Sequence, residues 1–210
     1  MTGLPRQPRV LRLKPPIDEE TARSLRLGDT IFLDGIIYTF RDAQHIRAAR
    51  YLAEGKPLPL SLENQVIYHA GPAFRKNGDR YELYTAGPTT SSRNNKYAPE
   101  VIRAHKFRAM VGKGGMDDRT LEAMKEVGCV YLLTASVSAA LTTKVVGVKE
   151  AYWEDLLAEA IFGIEVSGFG PLIVAMDAHG GSLFKEVTAQ ARVTLNGWKE
   201  EGLGGLPAVR

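Results

Sequence analysis

Residues 28–45 read GDTIFLDGIIYTFRDAQH. Two β-rich runs, Thr30–Leu33 and Ile36–Phe40, flank Asp34-Gly35. Asp-Gly between such runs is a strong hairpin signal, because both turn positions favour positive φ. Arg41-Asp42 then leads into AQHIRAARYLAEG, where Asp42 suits an N-cap and Gly55 a helix end. The expected order is strand, turn, strand, helix, which places the segment in an α/β domain.

Outward from there the pattern continues. Upstream, Val10–Leu13 reads as a short strand, and a helix is expected from Asp18 to just before Gly28. Downstream, KPLPLSLEN (56–64) is a loop by composition. Val66–Phe74 and Tyr81–Tyr84 flank Lys76-Asn77-Gly78-Asp79, a second hairpin signal. Helices are expected over Pro99–Phe107, Asp117–Val127, Ser138–Lys144, Trp153–Phe162 and Leu183–Leu195. Strands are expected at Met110–Val111, Val130–Leu133 and Leu172–Met176. There is no internal repeat and no dividing linker. The reading is one α/β domain over 1–210, a mixed sheet or pair of sheets flanked by helices. Its termini, about 1–9 and 197–210, are expected to be loose.

Composition narrows the function. Apolar residues make up 44% and charged residues 24%, enough for a buried core. The net charge of +3 is spread along the chain rather than gathered in a block, so nucleic acid is not an expected partner. No apolar run approaches the ~20 residues that span a bilayer. MTGLPRQPRV has no apolar signal core, and a cytoplasmic location is expected. Cys129 is the only cysteine, so no intrachain disulfide can form. One thiol also cannot hold an iron–sulfur cluster, which takes about three or four.

Several motifs carry chemistry. TAGPTTSSR (85–93) gathers five hydroxyls beside the Gly87-Pro88 turn and ends on Arg93. Such donors closed by a guanidinium suit a carboxylate or phosphate, but Ser and Thr also cap helices, and both readings stand. In VGKGG (111–115), Gly112 and Gly114 let the main chain approach a ligand and Lys113 adds a point charge. The spacing fails the P-loop pattern, and a turn with an exposed lysine is the plainer reading. Arg41 ends a strand where a helix begins; an ion pair with a nearby acid is its ordinary role. His45 lies one turn into that helix, in a packing or hydrogen-bonding position. His179 in DAHGG stands where a central strand is expected to end, and a structural role is its ordinary reading. No histidine spacing suggests zinc, and no G-x-S-x-G elbow is present.

Taken in order, GDTIFLDGIIYTFRDAQH, VIYHAGPAFRK, TAGPTTSSR, VGKGGM and PLIVAMDAHG resemble the class I iron–sulfur fumarase and L(+)-tartrate dehydratase family. The match is to the β subunit, equivalent to the C-terminal domain of the single-chain enzymes, and covers about residues 15–190. The resemblance implies a swivelling β/β/α-type domain. It implies reversible hydration of fumarate to (S)-malate, or dehydration of L(+)-tartrate to oxaloacetate. It also implies a partner α subunit that carries a [4Fe–4S] cluster, a small dicarboxylate substrate, and a homo- or hetero-oligomer. A module that binds anions without catalysis is the alternative of another class.

Site residues follow from the resemblance one by one. Thr89, the first threonine of G-P-T-T-x-x-R, corresponds to the catalytic base. Arg93 corresponds to a carboxylate ligand, Lys113 to a second cation, and Arg41 of R-D-x-x-H to a third. Gly87, Thr90, Gly112, Gly114 and His45 are expected to support them. Two features depart from the family: Asn94 where methionine is common, and Ser136-Val137-Ser138 where a Gly/Ala-rich stretch is usual.

Overall fold

The computed structural model describes residues 6–78, 80–134 and 138–200, with the backbone alone at 199–200. In it, residues 28–45 form one strand and one helix, not a hairpin. Val10–Leu13 is β1 and Glu19–Ser24 is α1; β2 then runs unbroken from Thr30 to Thr39. Strand β9 (Ile161–Met176) lies antiparallel along it, from Thr30 opposite Ile173 to Tyr38 opposite Gly163. Gly35, with φ of +110°, sits at a register shift in that ladder. Its freedom serves an irregularity within a strand rather than a turn. Asp34 is held there by Arg12 (2.8 and 2.9 Å) and by the Gly168 N–H at 2.8 Å. A hairpin would pair the two runs with each other; here a strand from far along the chain offers both a continuous partner.

The remaining elements are α2 (Asp42–Ala53), β3 (Val66–Tyr68), β4 (Ala73–Asn77), β5 (Arg80–Thr85) and α3 (Ala98–His105). They continue with β6 (Ala109–Gly112), α4 (Asp118–Val127), β7 (Val130–Thr134), α5 (Ser138–Thr142), β8 (Val145–Tyr152) and, after β9, α6 (Leu183–Glu200). The main sheet is ordered β1-β2-β3-β6-β7-β9-β8, and a further β2–β9 pairing closes β2, β3, β6, β7 and β9 into a circuit. Strands β2, β3, β6 and β7 run parallel, while β9 is antiparallel to β2 and β7. Strands β4 and β5 form the second expected hairpin, with Asn77 opposite Arg80; Asp79 lies outside the described residues.

Alternation along the parallel strands divides the core. Val66, Tyr68, Ala109, Val111, Val130 and Leu132 belong to one buried cluster, with Ile164 and Val174 of β9. The residues between them, Ile67, Met110 and Tyr131, belong to a second cluster with Val101, Ile102, Leu121 and Met124 of α3 and α4. Both faces of these strands are buried, so they read as continuous apolar runs. Aspartates begin two of the helices: Asp18 accepts from the Thr21 N–H, and Asp117 from the Thr120 N–H.

Other expectations shift. Arg41, not Asp42, is the N-cap of α2; its N–H donates to Gln44 Oε1 at 2.9 Å, so the helix begins at Asp42 itself. The expected helix at Trp153–Phe162 is a 3-10 turn over Glu154–Glu159, broken at Leu157 (φ 54°). β9 begins at Ile161, well before the expected Leu172, and β8 has no counterpart in the sequence reading. Helix α6 continues to Glu200, into the tail expected to be loose. At the other end, Arg6 and Arg9 pair with the fully buried Asp29 at 2.7 and 2.8 Å, which ties down residues 6–9. Among the described residues no helix is long and apolar enough to cross a membrane.

Candidate active site

Parallel strands present their C-terminal ends on one side of a sheet, and ligands of α/β proteins bind there. Three segments converge at that end: Arg41 after β2, His69 after β3, and Lys113 after β6. The TAGPTTSSR segment threads between them. Pro88 bridges Ala70, and Thr90 bridges Lys113. Thr89 N–H donates to His69 O at 2.7 Å, and Ser91 N–H donates to Lys113 O at 3.0 Å. This segment is therefore stitched across two strand ends.

Its hydroxyls do not cap a helix. The 3-10 turn Ser91–Asn94 and the helix α3 both start without a side-chain cap bond. Instead Thr89 Oγ1 donates to His69 O at 3.2 Å, and Ser91 Oγ lies 2.8 Å from both His69 Nδ1 and Tyr131 OH. Thr89 is partly exposed and Thr90 exposed, whereas Ser91 is fully buried. Gly112 is required by this packing: a Cβ there would stand 2.0 Å from Ser91 Oγ. Gly87 has a similar steric role against Ser138, whose Oγ would lie 2.1 Å from its Cβ. Gly114 takes a left-handed conformation, φ +71°, just past Lys113.

The cations gather around one carboxylate. Asp42 accepts from Arg41 Nε at 2.9 Å and pairs with Arg93 Nε at 2.9 Å. Glu159 lies 3.7 Å from Arg41 Nε. The ordinary role foreseen for Arg41, an ion pair with a nearby acid, is thus present, and its side chain is only 17% exposed. It also runs over Gly71, where a Cβ would meet Arg41 Nη1 at 2.8 Å. Arg93 is 56% exposed, and Lys113 is exposed with no ion pair among the described residues. Three cations and two carboxylates leave the cluster with one net positive charge before any ligand binds.

Beneath these groups lie two buried histidines. The His45 N–H and Nδ1 both meet Arg41 O at 2.9 Å. A carbonyl oxygen only accepts, so Nδ1 carries a proton. The His45 ring packs edge-on to Phe40 at 4.8 Å and to His69 at 5.4 Å. Burial lowers the His45 pKa to about 4, against smaller opposing effects of the Arg41 carbonyl and Asp42. Burial, then the neighbouring His45, holds His69 well below the usual histidine range. Both rings are neutral at physiological pH.

The structure thus brings Thr89, Arg93, Lys113, Arg41 and His45 into one neighbourhood, together with Gly87, Thr90, Gly112 and Gly114. Sequence reading missed His69, Ser91 and Tyr131, and missed Asp42 as the shared partner of two arginines. VIYHAGP did contain the signal for His69, a histidine directly after a buried strand. Asn94 is buried beside Arg93, while Ser136 and Val137 lie outside the described residues. His179 is structural: its Nε2 meets Arg23 O at 2.8 Å.

Cys129 does not fit as a cluster ligand. It is fully buried, and burial pushes its thiol well above the ordinary range, so the thiolate that a metal needs is disfavoured. Among the described residues, no three His, Cys, Asp or Glu side chains gather as a metal site.

A mixed α/β domain that offers cations and hydroxyls at parallel strand ends is a scaffold for small anions. The sequence model of the fumarase C-terminus family matches residues 5–187, and the chain belongs to that family. It is 39% identical over 183 residues to a Methanocaldococcus jannaschii protein provisionally named L(+)-tartrate dehydratase subunit beta, covering 86% of this chain and 94% of that one. It is 37% identical over 176 residues to the L(+)-tartrate dehydratase subunit beta of Escherichia coli K12, covering 83% and 86%. A Geobacillus stearothermophilus protein provisionally named class I fumarate hydratase is 37% identical over 207 residues, 91% of this chain but 37% of that longer one.

Proposed function

We propose that the chain is the β subunit of an iron–sulfur hydro-lyase that reversibly hydrates fumarate to (S)-malate. The observation that carries this reading is the gathering of Thr89, Arg93, Lys113 and Arg41 at one end of the strand circuit. In this reading the domain is of the swivelling β/β/α type and works in the cytoplasm with an α subunit. That subunit holds the [4Fe–4S] cluster, since Cys129 cannot, and when bound the cluster supplies a Lewis acid.

The residues of this chain bind and orient a dianion. The Arg93 guanidinium takes one carboxylate bidentately, and Lys113 and Arg41 face the other. Thr89 Oγ1 removes the C3 proton of malate. Its own proton is directed at His69 O and must leave before Oγ1 can accept the C3 proton. A neutral hydroxyl is too weak a base alone; nearby cations lower its pKa, an ionised carboxylate of the partner takes the hydroxyl proton, and the resulting alkoxide then accepts the C3 proton.

L(+)-tartrate dehydration is the second reading, favoured by the names of two relatives that match over most of their length. Tartrate has one more hydroxyl and needs one more polar partner. An anaerobic assay of the chain co-produced with its α subunit, using fumarate, L(+)-tartrate and methylated fumarates, tests both. The expected outcome is fastest turnover of fumarate by the complex and none by the chain alone. Faster tartrate turnover selects the second reading, and turnover by the isolated chain overturns the composite site.

A further inference from the structure

We propose that His69, Ser91 and Tyr131 are positioning residues of this site, a buried hydrogen-bonded column that fixes Thr89 Oγ1 and the main chain of Lys113. The inference rests on the role proposed above for Thr89. All three side chains are fully buried, and each link bears on a different site element. The His69 carbonyl accepts from both the N–H and the hydroxyl of Thr89. Ser91 N–H holds Lys113 O, while Ser91 Oγ joins His69 Nδ1 to Tyr131 OH. Tyr131 stands on β7, a strand that contributes no other residue named in the site. The column therefore ties the reactive segment to three neighbouring strands, β3, β6 and β7.

Proton counting orients it. Burial raises the Tyr131 pKa, so its hydroxyl keeps its proton, and Ser91 Oγ is its hydrogen-bond partner among the described residues. Tyr131 therefore donates to Ser91, and Ser91 donates to His69 Nδ1. The single proton of the neutral His69 ring is then on Nε2. In His45 the order is reversed: Nδ1 is protonated toward Arg41 O, and Nε2 is bare. The two edge-packed rings thus carry opposite tautomers, and neither Nε2 has a hydrogen-bond partner among the described residues. The Arg41 side of the site touches the Thr89 side through the edge-on packing of these rings. Deleting the Ser91 or the Tyr131 oxygen would leave one more polar atom unpaired where no solvent reaches these side chains, at a cost.

Nitrogen-15 histidine spectra and amide exchange of the full chain test this without the partner. The expected spectrum shows His69 with bare Nδ1 and protonated Nε2, and His45 with the opposite pattern. Ser91→Ala and Tyr131→Phe each delete one oxygen. Each is expected to speed exchange of the Thr89 and Ser91 amides about tenfold, the worth of one net hydrogen bond, with the Val174 amide unchanged. In the complex with its α subunit, both variants are expected to lose roughly 10- to 100-fold in kcat with KM little altered, as misplacement of a reacting group does. A proton on His69 Nδ1, parent-like exchange at Thr89 and Ser91, or unchanged kcat overturns the proposal. If Ser91→Ala does not fold, Tyr131→Phe decides. Full turnover in Thr89→Ala defeats the reading of Thr89 as base, while tautomer and exchange still judge the column by themselves.

Discussion

Asp42 Oδ1 stands 2.9 Å from Arg93 Nε, so the first residue of α2 holds an arginine delivered by the segment after β5. The same carboxylate holds Arg41 through its other oxygen. Two like charges are kept side by side by one acid, with most of their guanidinium donors left to point elsewhere. An arginine so held binds a carboxylate with less ordering cost than a free one.

Asp42→Ala is therefore expected to raise KM for the dicarboxylate about tenfold, the scale of a charged hydrogen bond, with a smaller change in kcat. Asp42→Asn, which keeps one acceptor, falls between. Steady-state kinetics of the complex check this. A lower KM in Asp42→Ala shows instead that Asp42 competes with the substrate for the arginines.

Thr89→Ala is expected to cut kcat by roughly 10²–10⁴, the usual range for a lost acid–base group. Thr89→Ser keeps the hydroxyl and retains much of the rate. Because Thr89 is only partly buried, thermal melting of both variants should stay close to the parent. Near-parent turnover of Thr89→Ala removes the base assignment.

Arg93→Ala is expected to act mainly on KM, and Arg93→Lys to restore it only in part, since an ammonium cannot match the planar fork. Lys113→Ala behaves similarly. Isothermal binding of an unreactive dicarboxylate to the complex separates this from a loss of chemistry: parent-like affinity in Arg93→Ala excludes it as a carboxylate ligand.

Gly112→Ala is expected to destabilise the chain by about 2 kcal/mol, the cost of overpacking, because its Cβ would lie 2.0 Å from Ser91 Oγ. Adding Ser91→Ala removes the obstructing oxygen and should recover much of the loss. Chemical denaturation of the single and double variants reads this coupling, and strict additivity contradicts it.

Stability should also fall with mild acid. The folded His45 pKa lies near 4, below its value of 6.5 when unfolded. Between these values the unfolded chain binds the extra proton. Stability is therefore complete above about pH 6.5 and is lost as pH falls toward 4, about 2 kcal/mol of it by pH 5. His69, lowered in the same direction, adds to the loss. Urea midpoints at about pH 7 and pH 5 test this, and equal midpoints contradict it.

Much of this architecture was legible in local pattern. Strands β1, β6 and β7 and helices α1, α3 and α4 lie within a few residues of their expected positions, because apolar spacing and aspartate caps are local signals. The failures share a cause. Asp34-Gly35 and the glycines of β9 resemble chain breakers, yet both segments are strands because each is the other's partner across the whole chain. Strand pairing of that range has no local signature. The site followed the same rule. Arg93 was visible as a charge closing a hydroxyl-rich turn and Lys113 as one in a glycine loop, while His69 and Tyr131 sat in or beside apolar runs where no chemical pattern singled them out. Their meaning arises only when β3, β6 and β7 lie side by side.

The β2–β9 ladder also governs how the chain reaches its native state. The ring cannot shut until Ile161–Met176 has been synthesised, long after Thr30–Thr39. Until then β2 offers an unpaired apolar edge, a hazard for association with other nascent copies. Assembly is consequently governed by distant pairing, a slow route that leaves the early strand in need of shelter.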